Sequence, residues 1–226
     1  MKGLIDFLTS SIGRKLTLSL TGLFLCIFLL GHLLGNLQLL LPDNGEAFNE
    51  YAEMMATSPL VYVLEVITFS AFLIHIFQGI LISIKNRAAR GGNSYHVSKA
   101  GENSSTFARN MIYSGSLVLV FMVIHLKGFF SHKVMYWLYL ESKPDMYRLV
   151  AEAFSDPVYV AIYVVAMLVL AFHLNHAFQS AFQTLGLNHR KYTPFIKKLG
   201  IGFSILIPIG FAIIPLFFLF DLKNYL

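Results

Sequence analysis

Four histidines, each in a different long apolar stretch, are the residues of this sequence most suited to chemistry: His32, His75, His125 and His173. Histidine is rare inside a bilayer because a polar ring is costly there, and it usually faces the bundle interior and marks a functional path. Imidazole is also a common metal ligand. Four such residues on separate stretches therefore predict a bound metal cofactor.

The composition indicates an integral membrane protein. Of the 226 residues, 56% are hydrophobic and only 13% are charged, and the mean hydropathy is +0.65. We expect a single membrane domain covering residues 1–226, because spanning helices use up a chain of this length. The net charge of +5 does not indicate nucleic-acid binding, since the basic residues lie between apolar stretches and not in one patch.

Cys26 is the only cysteine. A single cysteine excludes intrachain disulfides, cysteine-ligated iron–sulfur clusters and haem attachment through a C-x-x-C-H motif. A haem in this chain would have to be held by side chains alone, without a covalent link.

The lengths of the apolar stretches predict an all-α bundle of five transmembrane helices, since about 20 apolar residues cross a bilayer. The predicted spans are residues 16–41, 60–84, 108–130, 157–185 and 200–220. The first four contain the histidines and are expected to form a four-helix core with the fifth helix outside it. The acidic segment after the first span is expected to form a surface helix around Phe48, Tyr51 and Met54, and the segment after the third span is expected to be a loop.

The loops predict the orientation in the membrane. The amino terminus and the loops after the second and fourth spans are basic, whereas the other two loops are acidic or mixed. The positive-inside rule therefore places the amino terminus in the cytoplasm.

This orientation gives each histidine a depth, at about 1.5 Å of helical rise per residue. His32 and His125 are expected roughly 25 Å and 24 Å from the cytoplasmic edge, and His75 and His173 roughly 15 Å and 18 Å from it. Two levels with two histidines each are what two stacked haems need, each iron held between imidazoles from facing helices.

Other polar or small residues share the histidine faces at spacings of three, four and seven, among them Thr21, His176 and Ser180. These are candidate cofactor contacts, although ordinary helix packing through small and polar residues gives the same pattern. His176 follows His173 by one turn, and it could replace His173 as the ligand, donate to a haem propionate or face a quinone.

The chain resembles the dihaem cytochrome b subunit of succinate:quinone oxidoreductases, in the class with one large five-helix anchor. The resemblance covers nearly the whole chain and rests on the order of these segments: Gly13-Arg14-Lys15, Leu20-Thr21-Gly22-Leu23, Gly31-His32-Leu33-Leu34-Gly35-Asn36, Phe48-Asn49-Glu50-Tyr51-Ala52, His75-Ile76-Phe77-Gln78-Gly79, Ile124-His125-Leu126 and Phe172-His173-Leu174-Asn175-His176. In that family the fourth-helix ligand stands thirteen residues before a glycine, as His173 stands before Gly186. The resemblance therefore assigns the ligand to His173 over His176.

The resemblance implies that His32 pairs with His125 on one haem b and His75 with His173 on the other. It further implies a quinone, with menaquinone expected, and flavoprotein and iron–sulfur subunits docked on the cytoplasmic face of a bacterial inner membrane, where succinate and fumarate interconvert. The resemblance also implies contact with membrane lipid, and it leaves open whether two such complexes form a dimer. Glu50 and Glu65 would be candidates for proton exchange with the quinone, and Arg14, Lys15 and Lys127 for neutralising haem propionates.

Two other readings stay open. A five-helix cytochrome of nitrate reductase or formate dehydrogenase also carries two b haems, but it draws two ligands from one helix, whereas this chain shows one per helix. A proton-coupled transporter would use the histidines and Glu65 as a relay and would need no haem.

Overall fold

The computed structural model describes residues 2–90, 111–138 and 142–221, and these are helical apart from turns and short connections. The α-helices are α1 Lys2–Thr9, α2 Ser11–Asn36, α3 Glu46–Thr57, α4 Pro59–Arg90, α5 Met111–His125, α6 Ser131–Trp137, α7 Met146–Ala153, α8 Pro157–Thr184 and α9 Thr193–Leu219. A 3₁₀ turn, Leu37–Leu40, extends α2, and a π turn, Leu126–Phe130, joins α5 to α6.

Among the described residues, five helical segments are long and apolar enough to cross a membrane: Ser11–Leu40, Pro59–Ala88, Met111–Trp137, Pro157–Thr184 and Thr193–Leu219. The expected all-α fold and its five long apolar helices are thereby confirmed for this part of the chain, and the four-helix haem-binding core stays a prediction. Residues 108–110 of the third predicted span lie outside the described residues. The fifth helix begins at Thr193, before the predicted start at residue 200. Lys197 and Lys198 on its first turns are exposed. The helix can include these charged residues because their long side chains can extend toward the membrane interface.

The third helix continues beyond residue 130, where the sequence predicted a loop. Its extension, α6, carries a lysine and a tryptophan that donate hydrogen bonds to backbone carbonyls in the last turn of α3. Trp137 Nε1 donates to the carbonyl of Ala56 at 3.1 Å, and Lys133 Nζ donates to the carbonyl of Met55 at 2.9 Å. These bonds satisfy polar groups that would otherwise favour an exposed loop.

A further helix, α7, also lies where the sequence predicted a loop. Asp145 caps it by accepting a hydrogen bond from the backbone N–H of Arg148 at 3.0 Å. The surface helix predicted around Phe48 is confirmed as α3, and Asn49 links it to α7, donating to Asp145 at 2.9 Å and accepting from the backbone N–H of Tyr147 at 3.0 Å. We call this pair of helices the α3–α7 platform.

The contacts divide the chain into two compact units. Unit 1 consists of Met1–Phe28, Ile67–Ser116 and Phe172–Ser204, and unit 2 of Leu29–Val66, Leu117–Ala171 and Ile205–Leu226. By sequence, unit 1 contains twelve of the seventeen Lys and Arg residues but only two of the twelve Asp and Glu residues. Unit 1 is thus strongly basic and unit 2 acidic.

Unit 2 has a core that joins its helices to the α3–α7 platform. Its buried members come from five helical segments and are Leu39, Phe48, Val150, Phe154, Val160, Tyr163 and Ile214. Gly45 stands at φ +87°, and a Cβ there would collide with the ring of Tyr147. Glycine is thus required both for the left-handed turn and for the close approach of α7.

Unit 1 contains a smaller aromatic contact between α8 and α9. Phe178 is buried, with its ring centroid 5.0 Å from that of Phe182 and 5.7 Å from that of Phe203. A Cβ on Gly200 would lie 2.8 Å from the Phe178 ring. The absence of a side chain at Gly200 therefore lets the two helices approach closely.

Candidate functional site

The structure brings two of the four histidines face to edge within unit 2. The ring centroids of His32 on α2 and His125 at the end of α5 are 5.8 Å apart, and the ring planes are 86° to one another. The two imidazoles that the sequence pairs are therefore neighbours in the structure. Their pairing on one cofactor and their role as ligands stay predictions.

His125 is surrounded by aromatic side chains. Its Nδ1 lies 3.2 Å from the hydroxyl of Tyr163, and that hydroxyl lies 3.1 Å from the hydroxyl of Tyr159. The ring centroids of Phe121 and Phe129 lie 5.9 Å and 5.7 Å from the centroid of the imidazole. Such partners fix the orientation of a ring that sits in apolar surroundings.

His32 is held from its own helix and from α9. The Asn36 amide donates to the backbone carbonyl of His32 at 2.7 Å and lies 3.4 Å from its Nδ1. The ring centroid of Phe211 lies 5.6 Å from the centroid of the His32 imidazole. The sequence reasoning missed Phe211 because it placed the fifth helix outside the histidine core.

The other two histidines, His75 on α4 and His173 on α8, lie in unit 1, and each contacts a hydroxyl group. Thr21 Oγ1 lies 3.3 Å from His75 Nδ1, and Ser114 Oγ lies 3.3 Å from His173 Nδ1. Ser114 was not singled out from the sequence, although Thr21 was.

His176 is half-buried one turn beyond His173. The hydroxyl contact from Ser114 belongs to His173, so the structure gives His173 an oriented ring. The choice of His173 over His176 as the ligand stays a prediction.

Glu65 is half-buried and forms an ion pair with Lys133, whose side chain is only 14% exposed. The Lys133 ammonium also stands 4.6 Å from the centre of the Trp137 ring. Sequence reasoning found Glu65 by its position in a span but missed Lys133, because it assigned that lysine to a loop. Glu50, the other candidate for proton exchange, is exposed on α3.

The remaining candidates lie at the edges of these groups. Arg14 donates through Nε to the carbonyl of Thr9 at 2.9 Å, which ties α2 to the end of α1. Lys15 and Lys127 are exposed, and Ser180 is half-buried on α8. Arg14 thus has a partner close in sequence. In the described part of the chain, Arg14, Lys15, Lys127 and Ser180 do not form one cluster.

The donor set fits a haem better than a bare metal ion. Among the described residues, no group of three or more His, Cys, Asp or Glu side chains is placed to hold a metal ion. A haem would bring nitrogen donors of its own and would need only two side chains from the protein, which His32 with His125 and His75 with His173 could supply. The buried Gln78 Oε1, one turn from His75, has no hydrogen-bond partner, so a polar acceptor remains available near that histidine.

Two carboxyl groups outside the spans have lowered pKa values. Hydrogen bonds from the backbone N–H of Arg148 and from Asn49 hold the pKa of Asp145 below its ordinary value. Backbone N–H groups of Ala47 and Gly45 likewise lower the pKa of Asp43. Both carboxylates are therefore favoured in the charged form that caps α7 and α3.

The described residues define a class: a helical protein with five potential membrane spans and four histidines in them, two in each compact unit. Comparisons with protein-family models, with characterised proteins and with solved structures find no match to this chain.

Proposed function

We propose that this protein is a membrane anchor and electron-transfer subunit that binds two b haems. It would pass electrons between a cytoplasmic iron–sulfur and flavoprotein pair, which interconverts succinate and fumarate, and a membrane quinone. The observation that carries the proposal is the pair of imidazoles 5.8 Å apart in unit 2, contributed by different helices. The resemblance to dihaem cytochrome b subunits names the partners and the quinone.

Each unit contains two histidines that could serve as ligands of such a cofactor. His32 and His125 would hold one haem and His75 and His173 the other, while neighbouring hydroxyl and aromatic groups orient the rings. A bound haem supplies an iron that accepts and returns one electron. The surrounding apolar side chains would exclude water and so influence the reduction potential.

The charge distribution supports a cytoplasmic location for the amino terminus and for the docking face. Unit 1 contains the amino terminus and both basic loops, and these carry most of the positive charge. Basic loops remain on the cytoplasmic side of membrane proteins. We propose the bacterial inner membrane as the location, with the partner subunits bound at this basic face.

The first test is a haem assay on the purified chain and on any complex that co-purifies with it. We expect about two b-type haems per chain. A preparation that folds but contains no haem would contradict the proposal and would favour the proton-coupled transporter.

The second test separates the pairs. His75→Ala and His173→Ala should remove one and the same haem, and His32→Ala and His125→Ala the other, as shown by redox titration of the haem that remains. His176→Leu is the matched control on α8 and should retain both haems. Loss of a haem in that control would show that His176 is the ligand.

A further inference from the structure

Two hydroxyl groups contact the unit 1 histidines in the same manner. Thr21 Oγ1 and Ser114 Oγ each lie 3.3 Å from a histidine Nδ1, and each stands eleven residues before the unit 2 histidine of its own helix. Eleven residues make about three helical turns, so hydroxyl and histidine share one helix face. Each of α2 and α5 therefore supplies a histidine to one pair and a hydroxyl to the other.

The hydroxyl protons are already committed to backbone carbonyls. Thr21 donates to the carbonyl of Thr17 at 2.8 Å, and Ser114 donates to the carbonyl of Met111 at 3.1 Å. A hydroxyl has one proton to donate and can accept with its lone pairs. Both oxygens must then accept from the imidazoles, which places the ring proton on Nδ1.

A glycine directly after each hydroxyl residue gives the imidazole room. A Cβ on Gly22 would lie 3.1 Å from His75 Cε1, and a Cβ on Gly115 would lie 3.4 Å from His173 Cε1. Both rings therefore lie against the helix backbone. A side chain at position 22 would press on His75, whereas one at position 115 would only come into van der Waals contact with His173. The repeated order of hydroxyl residue and glycine forms the same cradle on two helices.

We propose that Thr21 and Ser114 are positioning residues for the haem that His75 and His173 would hold. By accepting a hydrogen bond from Nδ1–H, they leave Nε2 as the unprotonated nitrogen of both rings, which is the form that binds iron. The hydrogen bonds also raise the basicity of the ligands, which favours ferric iron and lowers the reduction potential. This inference rests on the proposed function.

The experiment compares hydroxyl-deleting and hydroxyl-retaining variants of the purified protein by redox titration and by electron paramagnetic resonance of the low-spin ferric signals. His75→Ala protein, which should keep only the unit 2 haem, identifies which potential belongs to which site. Thr21→Val and Ser114→Ala should each raise the potential of the unit 1 haem, change its signal and leave the other haem unaltered. Haem should also be lost from that site more readily, by about 10- to 100-fold in affinity.

Three variants control for simple packing effects. Thr21→Ser keeps the hydroxyl and should restore the potential and the signal. Thr17→Val removes a back-bonded hydroxyl from the same helix, and Ser116→Ala removes an exposed hydroxyl from α5; neither should shift the potential. If Thr21→Val fails to fold, Ser114→Ala provides the same comparison on the other histidine.

The outcomes separate the inference from the proposed function. Two haems with a unit 1 potential unchanged in both Thr21→Val and Ser114→Ala would overturn the positioning role while leaving the cytochrome assignment intact. Equal shifts in Thr21→Ser and Thr21→Val would also overturn it, because the hydroxyl would then be irrelevant. A wild-type protein without haem would instead refute the proposed function.

Discussion

The Tyr163 hydroxyl lies between His125 and the hydroxyl of Tyr159, inside the aromatic cluster of unit 2. Its ring packs 4.9 Å from Phe121 and 5.0 Å from Phe154, measured between centroids. Tyr163→Phe keeps this packing and removes the two hydrogen bonds.

We expect Tyr163→Phe to lower the free energy of unfolding by about 1–3 kcal/mol, since two partly buried polar groups, on His125 and Tyr159, lose a partner. Thermal unfolding in detergent measures the change. Tyr113→Phe, which alters an exposed phenol in a spanning helix, should have no measurable effect. Equal destabilisation by the two variants would mean that the Tyr163 hydrogen bonds contribute nothing specific.

The ion pair of Lys133 with Glu65 can be compared with a second pair in the same unit. Lys133 and Glu65 are 14% and 24% exposed, whereas Lys143 and Glu53, 2.7 Å apart, are 55% and 52% exposed. Solvent screens the exposed pair far more strongly, so it contributes little to stability.

Lys133→Met leaves the Glu65 carboxylate half-buried without its cation, and we expect a loss of about 1–3 kcal/mol in the free energy of unfolding. Lys133→Met combined with Glu65→Gln should recover part of this loss. Lys143→Met should cost at most about 0.5 kcal/mol. A double-mutant cycle on each pair gives the coupling, and equal coupling energies would contradict this difference.

At the scale of elements, the α3–α7 platform depends on charged caps. The pKa of Asp145 is held below its ordinary value by the backbone N–H of Arg148 and by Asn49. A carboxyl group whose pKa is lower in the folded state contributes stability above its unfolded pKa of about 3.9. That contribution is lost as the pH falls through the folded value.

We therefore expect the temperature midpoint of unfolding to decrease as the pH is lowered from about 5 to about 3, a range that brackets the unfolded pKa of about 3.9. Asp145→Asn should lower the midpoint at pH 5 and reduce its dependence on pH. Asp6→Asn, at an exposed carboxylate on α1, serves as the control. An unchanged acid response in Asp145→Asn would show that Asp145 does not couple to folding.

The elements also show what sequence patterns could and could not predict. Apolar length was sufficient for the five spans, because crossing a bilayer sets a minimum number of residues. Charge content was misleading for residues 131–153, since Lys133 and Asp145 act through partners distant in sequence. Helices stabilised by such tertiary contacts lack a strong local signal.

The histidine site was only partly predictable for a similar reason. Helical rise and loop charge gave the pairing of His32 with His125, whose rings the structure places together. Ser114 and Phe211 were missed, although the shared spacing of Thr21 to His32 and Ser114 to His125, each hydroxyl residue followed by glycine, was a usable signal. The contact of Phe211 depends on how α9 packs, which periodicity alone does not determine.

At the scale of the whole molecule, the unequal charge of the two units predicts which loops face the cytoplasm. In a Cys26→Ser background, we expect Glu46→Cys and Ser142→Cys to react with a membrane-impermeant maleimide on intact spheroplasts. Lys191→Cys, in the basic loop of unit 1, should react only after the membrane is opened. The reverse pattern of labelling would contradict the proposed orientation and the docking face with it.

The π turn at Leu126–Phe130 constrains how the length of the third spanning helix can vary. A π turn accommodates one more residue than an α turn, so the helix has one rotational setting up to His125 and another from Ser131 onward. Deleting one residue within the turn would restore the regular period and leave Lys133 and Trp137 facing their partners Glu65 and Ala56. Deleting one residue from the regular helix between the turn and Lys133 would instead rotate both side chains away by about 100°. The turn should therefore tolerate the loss of one residue far better than the regular helix beside it.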